Sequence, residues 1–321
     1  MNSIEQLKRG LTIGHFGLGM RGDHHGTPAE VTHDGDTVSV NALGNFSVRF
    51  LAIDTPEISF TLPGDTERFI SISNPEWEKF LTDPFASQYP PLVLDEGLKK
   101  DLLKRLGPGA ATNHHDHAKK AERALEAEIK KDRDAMGWTN ETFQFFLSFA
   151  HEIMDRYGRL LAYINRENPE EPRPPDYNTR QLQKGVACPY GIWPNVGESA
   201  GYAGSLAKLV LEPFTANKWA GKDTYVKRGR ELVADARKNK TGIFDKDNPL
   251  RIEPFELRYL AGRRPPERWV IDLGKNDDVL VAPQNYYQIK MEDRLFVPEE
   301  FVPLFESKGW KKQAVAAMRA A

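Results

Sequence analysis

The 321-residue chain has one cysteine, Cys188, so no internal disulfide framework can form. It also lacks an excess of positive charge. Its 44 Lys and Arg face 46 Asp and Glu, a formal charge of −2, which excludes a global field that would steer polyanions. Any nucleic-acid contact has to come from local basic patches. No apolar run reaches the length of a membrane span, and the opening MNSIEQLKRGLTIGHFGLGMRG holds none of signal-peptide length. The expectation is an intracellular, soluble protein, cytoplasmic by default, with secretion of a trimmed form as the alternative. Internal repeats and low-complexity tracts are absent. With 40% hydrophobic residues, the chain suffices for one large domain or two small ones.

Residues 1–27 read as an N-terminal arm rich in Gly and His, with a short strand at 11–16. Residues 37–41 alternate as a strand, LGN supplies a turn, and 46–53 resume the β pattern. Pro56 stops that strand because it has no N–H for a ladder. Residues 58–112 carry many Pro and Gly and read as an insertion with a short helix near 91–106. The stretch 113–134 is helical, with Ala121, Ala124, Leu125, Glu128 and Ile129 along one face. FQFFLSFAHEI and RLLAYINRE read as strands joined by MDRYG, where Gly158 can take a positive φ. Residues 178–185 read as a short helix with Asn178 as N-cap and Gly185 as C-cap, and 223–242 as a longer one. From about 248 the chain changes character. RWVIDL, VLVAP and YYQIK are strand candidates there, and VPEEFVPLFESKGW a small helix.

One stretch raises a chemical question. VRFLAIDTPE, residues 48–57, is a buried strand by pattern, yet Arg49, Asp54 and Glu57 crowd its ends. DGDTV (34–38) precedes it, and DRYGRLLAYI (155–164) follows a helix further on. In this order and spacing, the three motifs resemble the staphylococcal nuclease (thermonuclease) family. The resemblance covers about residues 30–165, and more weakly the helices up to 242.

The resemblance implies an α+β fold built on a five-stranded OB-fold barrel with packed helices. The barrel domain would span 28–247, interrupted by the insertion 58–112 and an enlarged loop at 186–222. A small C-terminal extension, 248–321, has no counterpart. The family pattern assigns Asp36, Asp54 and the backbone carbonyl of Thr55 to a calcium ion, with magnesium or manganese as alternatives. It makes Glu57 the group that orients or deprotonates the attacking water, and gives Arg49 and Arg159 the scissile phosphate. The implied activity is metal-dependent hydrolysis of phosphodiesters in DNA, RNA or both. The alternative is a non-catalytic OB-fold module that binds single-stranded nucleic acid. Oligomeric state, endo- or exo-cleavage and the roles of the additions stay open.

Elementary chemistry agrees with that assignment. Hydrolysis of a phosphodiester needs a nucleophilic water and neutralisation of the charge that builds on oxygen. A hard divalent ion with oxygen ligands acts as the Lewis acid, and arginine's planar, permanently charged fork suits phosphate. One difficulty is geometric: Arg49 and Asp54 differ by five positions and face opposite sides of an ideal strand. Bringing them together requires a bend, a bulge or a strand end.

Other features have plainer readings. Asp34 is either turn-forming or a support for the metal ligands. Tyr157 reads as core packing. NHHDH (113–117) reads as a capped helix start, since adjacent helical histidines splay apart and cannot easily share a tetrahedral ion. GLGMRG (17–22) opens no helix, so dinucleotide binding is rejected. The basic runs RRPPER (263–268) and KGWKK (308–312) read as surface charge, and Cys188 as buried or inert.

Overall fold

The structure, a computed structural model, describes residues 4–6, 12–42, 45–65, 67–167, 174–198, 200 and 205–314. Five strands form its centre: β1 (Thr12–Leu18), β2 (Thr37–Asn41), β3 (Asn45–Phe50), β4 (Gln144–Met154) and β5 (Leu160–Arg166). Around the wall they run β1-β4-β5-β3-β2, and β2 pairs back onto β1 through Leu18 opposite Val40. Every pairing in this circuit is antiparallel except β5 on β3. This is the closed five-stranded barrel of an α+β OB-fold. The segment expected as an N-terminal arm thus supplies a wall strand, because Ile13, Phe16 and Leu18 are buried.

Period-two alternation decides which side chains face inward. Val38 and Val40 from β2, Val48 and Phe50 from β3, Phe145, Leu147 and Phe149 from β4, and Leu160, Ala162 and Ile164 from β5 fill the barrel. Helix α3 (Ala110–Ala135) adds Leu125 and Ile129 to the same core. It is preceded by α1 (Pro75–Thr82) and α2 (Glu96–Arg105) of the insertion, and followed by α4 (Tyr177–Gln183), α5 (Thr224–Asn239) and α6 (Pro254–Gly262). No helix among the described residues is long and apolar enough to cross a membrane.

Two local expectations change. The N-cap of α4 is Asp176, whose carboxylate accepts from the Thr179 N–H at 2.6 Å. Asn178 is buried instead. Its amide donates to the Leu51 carbonyl at 2.8 Å, and its oxygen accepts from the Ile164 N–H at 3.0 Å. It therefore satisfies one backbone group on β5 and one just past the end of β3. YYQIK is not a strand. Pro283 starts a 3₁₀ segment, Pro283–Gln288, that turns Tyr286 into the interior.

The insertion 58–112, the loop 186–222 and the extension 248–321 pack on one another. Trp77, Phe80 and Leu81 of α1 and Leu98 and Leu102 of α2 share a core with Phe255, Leu257 and Leu260 of α6 and with Tyr286. Trp193, Val210 and Leu211 of the enlarged loop share another with Trp269, Ile271, Phe305 and Trp310 of the extension. Removing residues 248–321 would bare two large apolar faces. We expect the 1–247 fragment to aggregate or to lose its cooperative melting transition, read by light scattering and circular dichroism. A soluble fragment with a sharp transition would contradict this packing.

Candidate active site

The geometric difficulty is solved by ending the strand. β3 stops at Phe50, and Ala52 takes a left-handed conformation with φ of 62°, uncommon for a residue with a Cβ. The chain then resumes as the short strand Ile53–Asp54, which pairs with Cys188–Pro189 rather than with the barrel wall. The break resets the alternation, so that Arg49 and Asp54 meet. The Tyr190 N–H bonds the Ala52 carbonyl at 2.8 Å and holds the turn.

A chain of opposite charges results. Arg49 Nη1 donates to Asp36 Oδ1 at 2.6 Å, and Arg49 Nη2 donates to Asp54 Oδ1. The Thr55 N–H donates to Asp36 Oδ2 at 2.8 Å. On the far side, Arg258 reaches in from α6. Its Nη1 bonds Asp54 Oδ1 at 2.9 Å and Glu57 Oε1 at 2.6 Å, and its Nη2 bonds Asp54 Oδ2 at 2.8 Å. Asp36, Asp54, Thr55 and Glu57 are all buried. Asp34 stands behind them, its Oδ1 accepting from the Asp36 N–H at 3.2 Å; this is an Asx-type turn that also places a fourth carboxyl in the cluster.

Burial opposes ionisation of a carboxyl. For Asp54 the Arg258 and Arg49 guanidiniums outweigh it and hold the carboxyl below its usual range. For Glu57 burial prevails over the same two arginines, with the Asp54 and Asp36 charges adding to it, and the carboxyl is pushed up. Asp34 is pushed well up, first by burial and then by Asp36 and Glu57. Arg49 stays charged: burial works against it, but Asp36 and Asp54 prevail.

Two supports fix this arrangement. α3 presses on the DGDT turn so closely that a Cβ on Gly35 would lie 2.5 Å from the Ala121 Cβ. Gln181 of α4 clasps both sides, donating to the Gly35 carbonyl at 2.6 Å and the Ala121 carbonyl at 3.0 Å. Further along α3, His114 Nε2 accepts from the Glu57 N–H at 2.9 Å. Burial pushes the His114 pKa down to about 3, so the neutral ring is free to accept. His117 bonds the Asn248 carbonyl at 2.8 Å. The NHHDH segment thus lies inside the helix, and two of its histidines pin Glu57 and the start of the extension.

Among the described residues, no group of three or more His, Cys, Asp or Glu side chains is arranged to hold a metal. The set assigned to calcium has two carboxylates and one backbone carbonyl. Its chemistry nevertheless fits a hard cation. Four carboxyls (Asp34, Asp36, Asp54 and Glu57) face two guanidiniums, and two of the four acids are pushed up. The buried Thr55 Oγ1 has no hydrogen-bond partner among the described residues.

Five of the six assigned residues, Asp36, Arg49, Asp54, Thr55 and Glu57, come together. The sixth does not join them. Arg159 lies at the β4–β5 hairpin, where Nε donates to Asp155 Oδ2 at 2.8 Å, and its guanidinium sits over the Tyr157 ring. Tyr157 is 68% exposed rather than core.

No family model matches the chain. One curated relative is an endonuclease. Over 165 residues the chain is 27% identical to endonuclease YhcR of Bacillus subtilis strain 168. The match takes in 51% of this chain but only 11% of that relative.

Arg258 and His114 went unassigned at the level of sequence. His114 sat in a segment read as a helix cap. Arg258 lies in FELRYL, where no spacing marks it, 204 residues beyond Asp54.

The upward push on Glu57 has a consequence for stability. The folded protein binds the Glu57 proton more tightly than the unfolded chain, whose pKa is about 4.3. Ionisation therefore works against folding, and this contribution to stability is lost as pH rises from the unfolded pKa through the folded one. E57Q removes the ionisation. Its Tm should match wild type at pH 4 and exceed it at pH 8, by roughly 2 °C for each kcal/mol relieved. A difference independent of pH, or a lower Tm at pH 8, would contradict the arrangement.

Proposed function

We propose that the protein is a metal-dependent phosphodiesterase that hydrolyses DNA, RNA or both by attack of water on phosphorus. The observation that carries this reading is the buried chain Asp36–Arg49–Asp54–Arg258–Glu57 at the mouth of the OB barrel. The endonuclease name of the 27% identical relative supports it.

In this reading Asp36, Asp54 and the Thr55 carbonyl hold a divalent cation, calcium by resemblance. When bound, that ion supplies Lewis-acid polarisation of a phosphoryl oxygen. Arg49, fixed by its two aspartates, presents its guanidinium to the phosphate and offsets the charge that develops there. Arg159 would join it once the hairpin turns its side chain away from Asp155. Glu57 takes the proton of the attacking water. Its carboxylate is the base within reach of the site, and the His114 bond to its backbone fixes where it stands.

The test is cleavage of labelled single-stranded DNA, double-stranded DNA and RNA with calcium, magnesium, manganese or EDTA. Wild type should cut in at least one metal and not in EDTA. E57Q should lose about 10²–10⁴-fold in rate. A folded wild type that binds single strands but cuts nothing in any metal would move the reading to a non-catalytic OB-fold module.

A further inference from the structure

The family pattern expects two arginines at the phosphate. Here the second guanidinium against the acidic cluster comes from the extension, not from the hairpin. Arg258 is bonded to both Asp54 and Glu57, whereas Arg159 is bonded to Asp155. The two arginines of the cluster differ in access. The Arg258 side chain is 26% exposed, that of Arg49 14%, and those of Asp54 and Asp36 at most 1%. Arg258 therefore forms the solvent side of the cluster, where a polyanion arrives first.

Its position is built rather than incidental. Pro254 opens α6, and Glu253 and Glu256 form a capping box at its start. Arg294 holds Glu253 at 2.8 Å, while Arg105 and Tyr286 hold Glu256 at 2.7 and 2.6 Å. Phe255, Leu257 and Leu260 anchor the helix in the core it shares with the insertion. A guanidinium has five N–H donors. Among the described residues, the carboxylates engage both Nη1 hydrogens and one on Nη2. Nε–H and the other Nη2–H are left for an acceptor, in the fork that suits a phosphate.

We infer that Arg258 is a catalytic residue for the hydrolysis proposed above: it binds the phosphate of the substrate beside Arg49. The active site is then shared between the barrel and the C-terminal extension. The assignment rests on the phosphodiesterase reading, and its test separates the two. Cleavage of a labelled single-stranded DNA oligonucleotide is measured in calcium and in magnesium, for wild type, E57Q, R258A and R258K. Binding of the same oligonucleotide is measured in EDTA by fluorescence anisotropy, and folding by thermal melting.

R258A should lower kcat by about 10²–10³-fold and weaken binding more than tenfold. R258K should keep the fold, because a cation still faces Asp54 and Glu57. It should recover little activity, because a point charge cannot serve two carboxylates and a phosphate together. If R258A does not fold, R258K carries the test. Wild-type rates and binding in the folded variants would overturn the inference and leave Arg258 a structural ion pair. A faster rate would overturn it too, by making Arg258 a plug. If wild type binds the oligonucleotide but does not cut it, the hydrolase reading fails; weakened binding in R258K would still support phosphate contact, and unchanged binding would refute it. If wild type cuts in metal but does not bind in EDTA, the variants' rates alone decide on Arg258; absence of both cutting and binding overturns both.

Discussion

Burying an unpaired charge costs several kcal/mol even after relaxation, and this protein buries Asp36, Asp54 and most of Glu57 at one barrel edge. Each can stay there only with a guanidinium beside it. Arg49 serves Asp36 and Asp54, and Arg258 serves Asp54 and Glu57. Asp54 lies at the centre of the chain, with both arginines on it. Taking away either arginine would leave carboxylates uncompensated; taking away Asp54 would leave two guanidiniums sharing Asp36 and Glu57.

Much of the surrounding fold is arranged to meet that requirement. β3 breaks at Ala52 so that Arg49 and Asp54 converge, and Cys188–Pro189 supplies the pairing that Ile53–Asp54 lost from the wall. Pairing there buries Cys188, and burial pushes its thiol pKa well up, so the thiol stays protonated. Gly35 permits the approach of α3, which brings His114 to the Glu57 backbone. The extension carries Arg258 on a helix held by its own ion pairs with Arg105 and Arg294. The insertion and the enlarged loop in turn supply the apolar faces on which the extension rests. The insertion, the loop and the extension form one continuous support, and one of its residues, Arg258, reaches the charge cluster.

What could be read from the sequence follows from the range of each signal. Four of the five wall strands were legible because alternation is local: Val38 and Val40, or Phe145, Leu147 and Phe149, announce an inward face by themselves. The first, Thr12–Leu18, showed only as a short strand within an arm, since its pairing partners lie far along the chain. The DGDT and DTPE motifs were legible because resemblance added what a lone turn could not. The break at Ala52 was legible only as a requirement, since alanine gives no hint of a positive φ. Asn178 looked like a cap because asparagine favours caps, and its tertiary role won over that local preference. Arg258 was not legible at all. Its partners lie some 200 residues away, and it sits in a short helix, PFELRYLAG, buried nearly all round, that no pattern in the sequence announced.

The central claim is that this cluster directs water onto phosphorus. The most direct measurement is cleavage of an oligonucleotide in water enriched in oxygen-18, with mass spectrometry of the products. The account predicts one labelled oxygen per cut, on the new terminal phosphate and not on the sugar hydroxyl. Products whose new phosphate carries no label would contradict it.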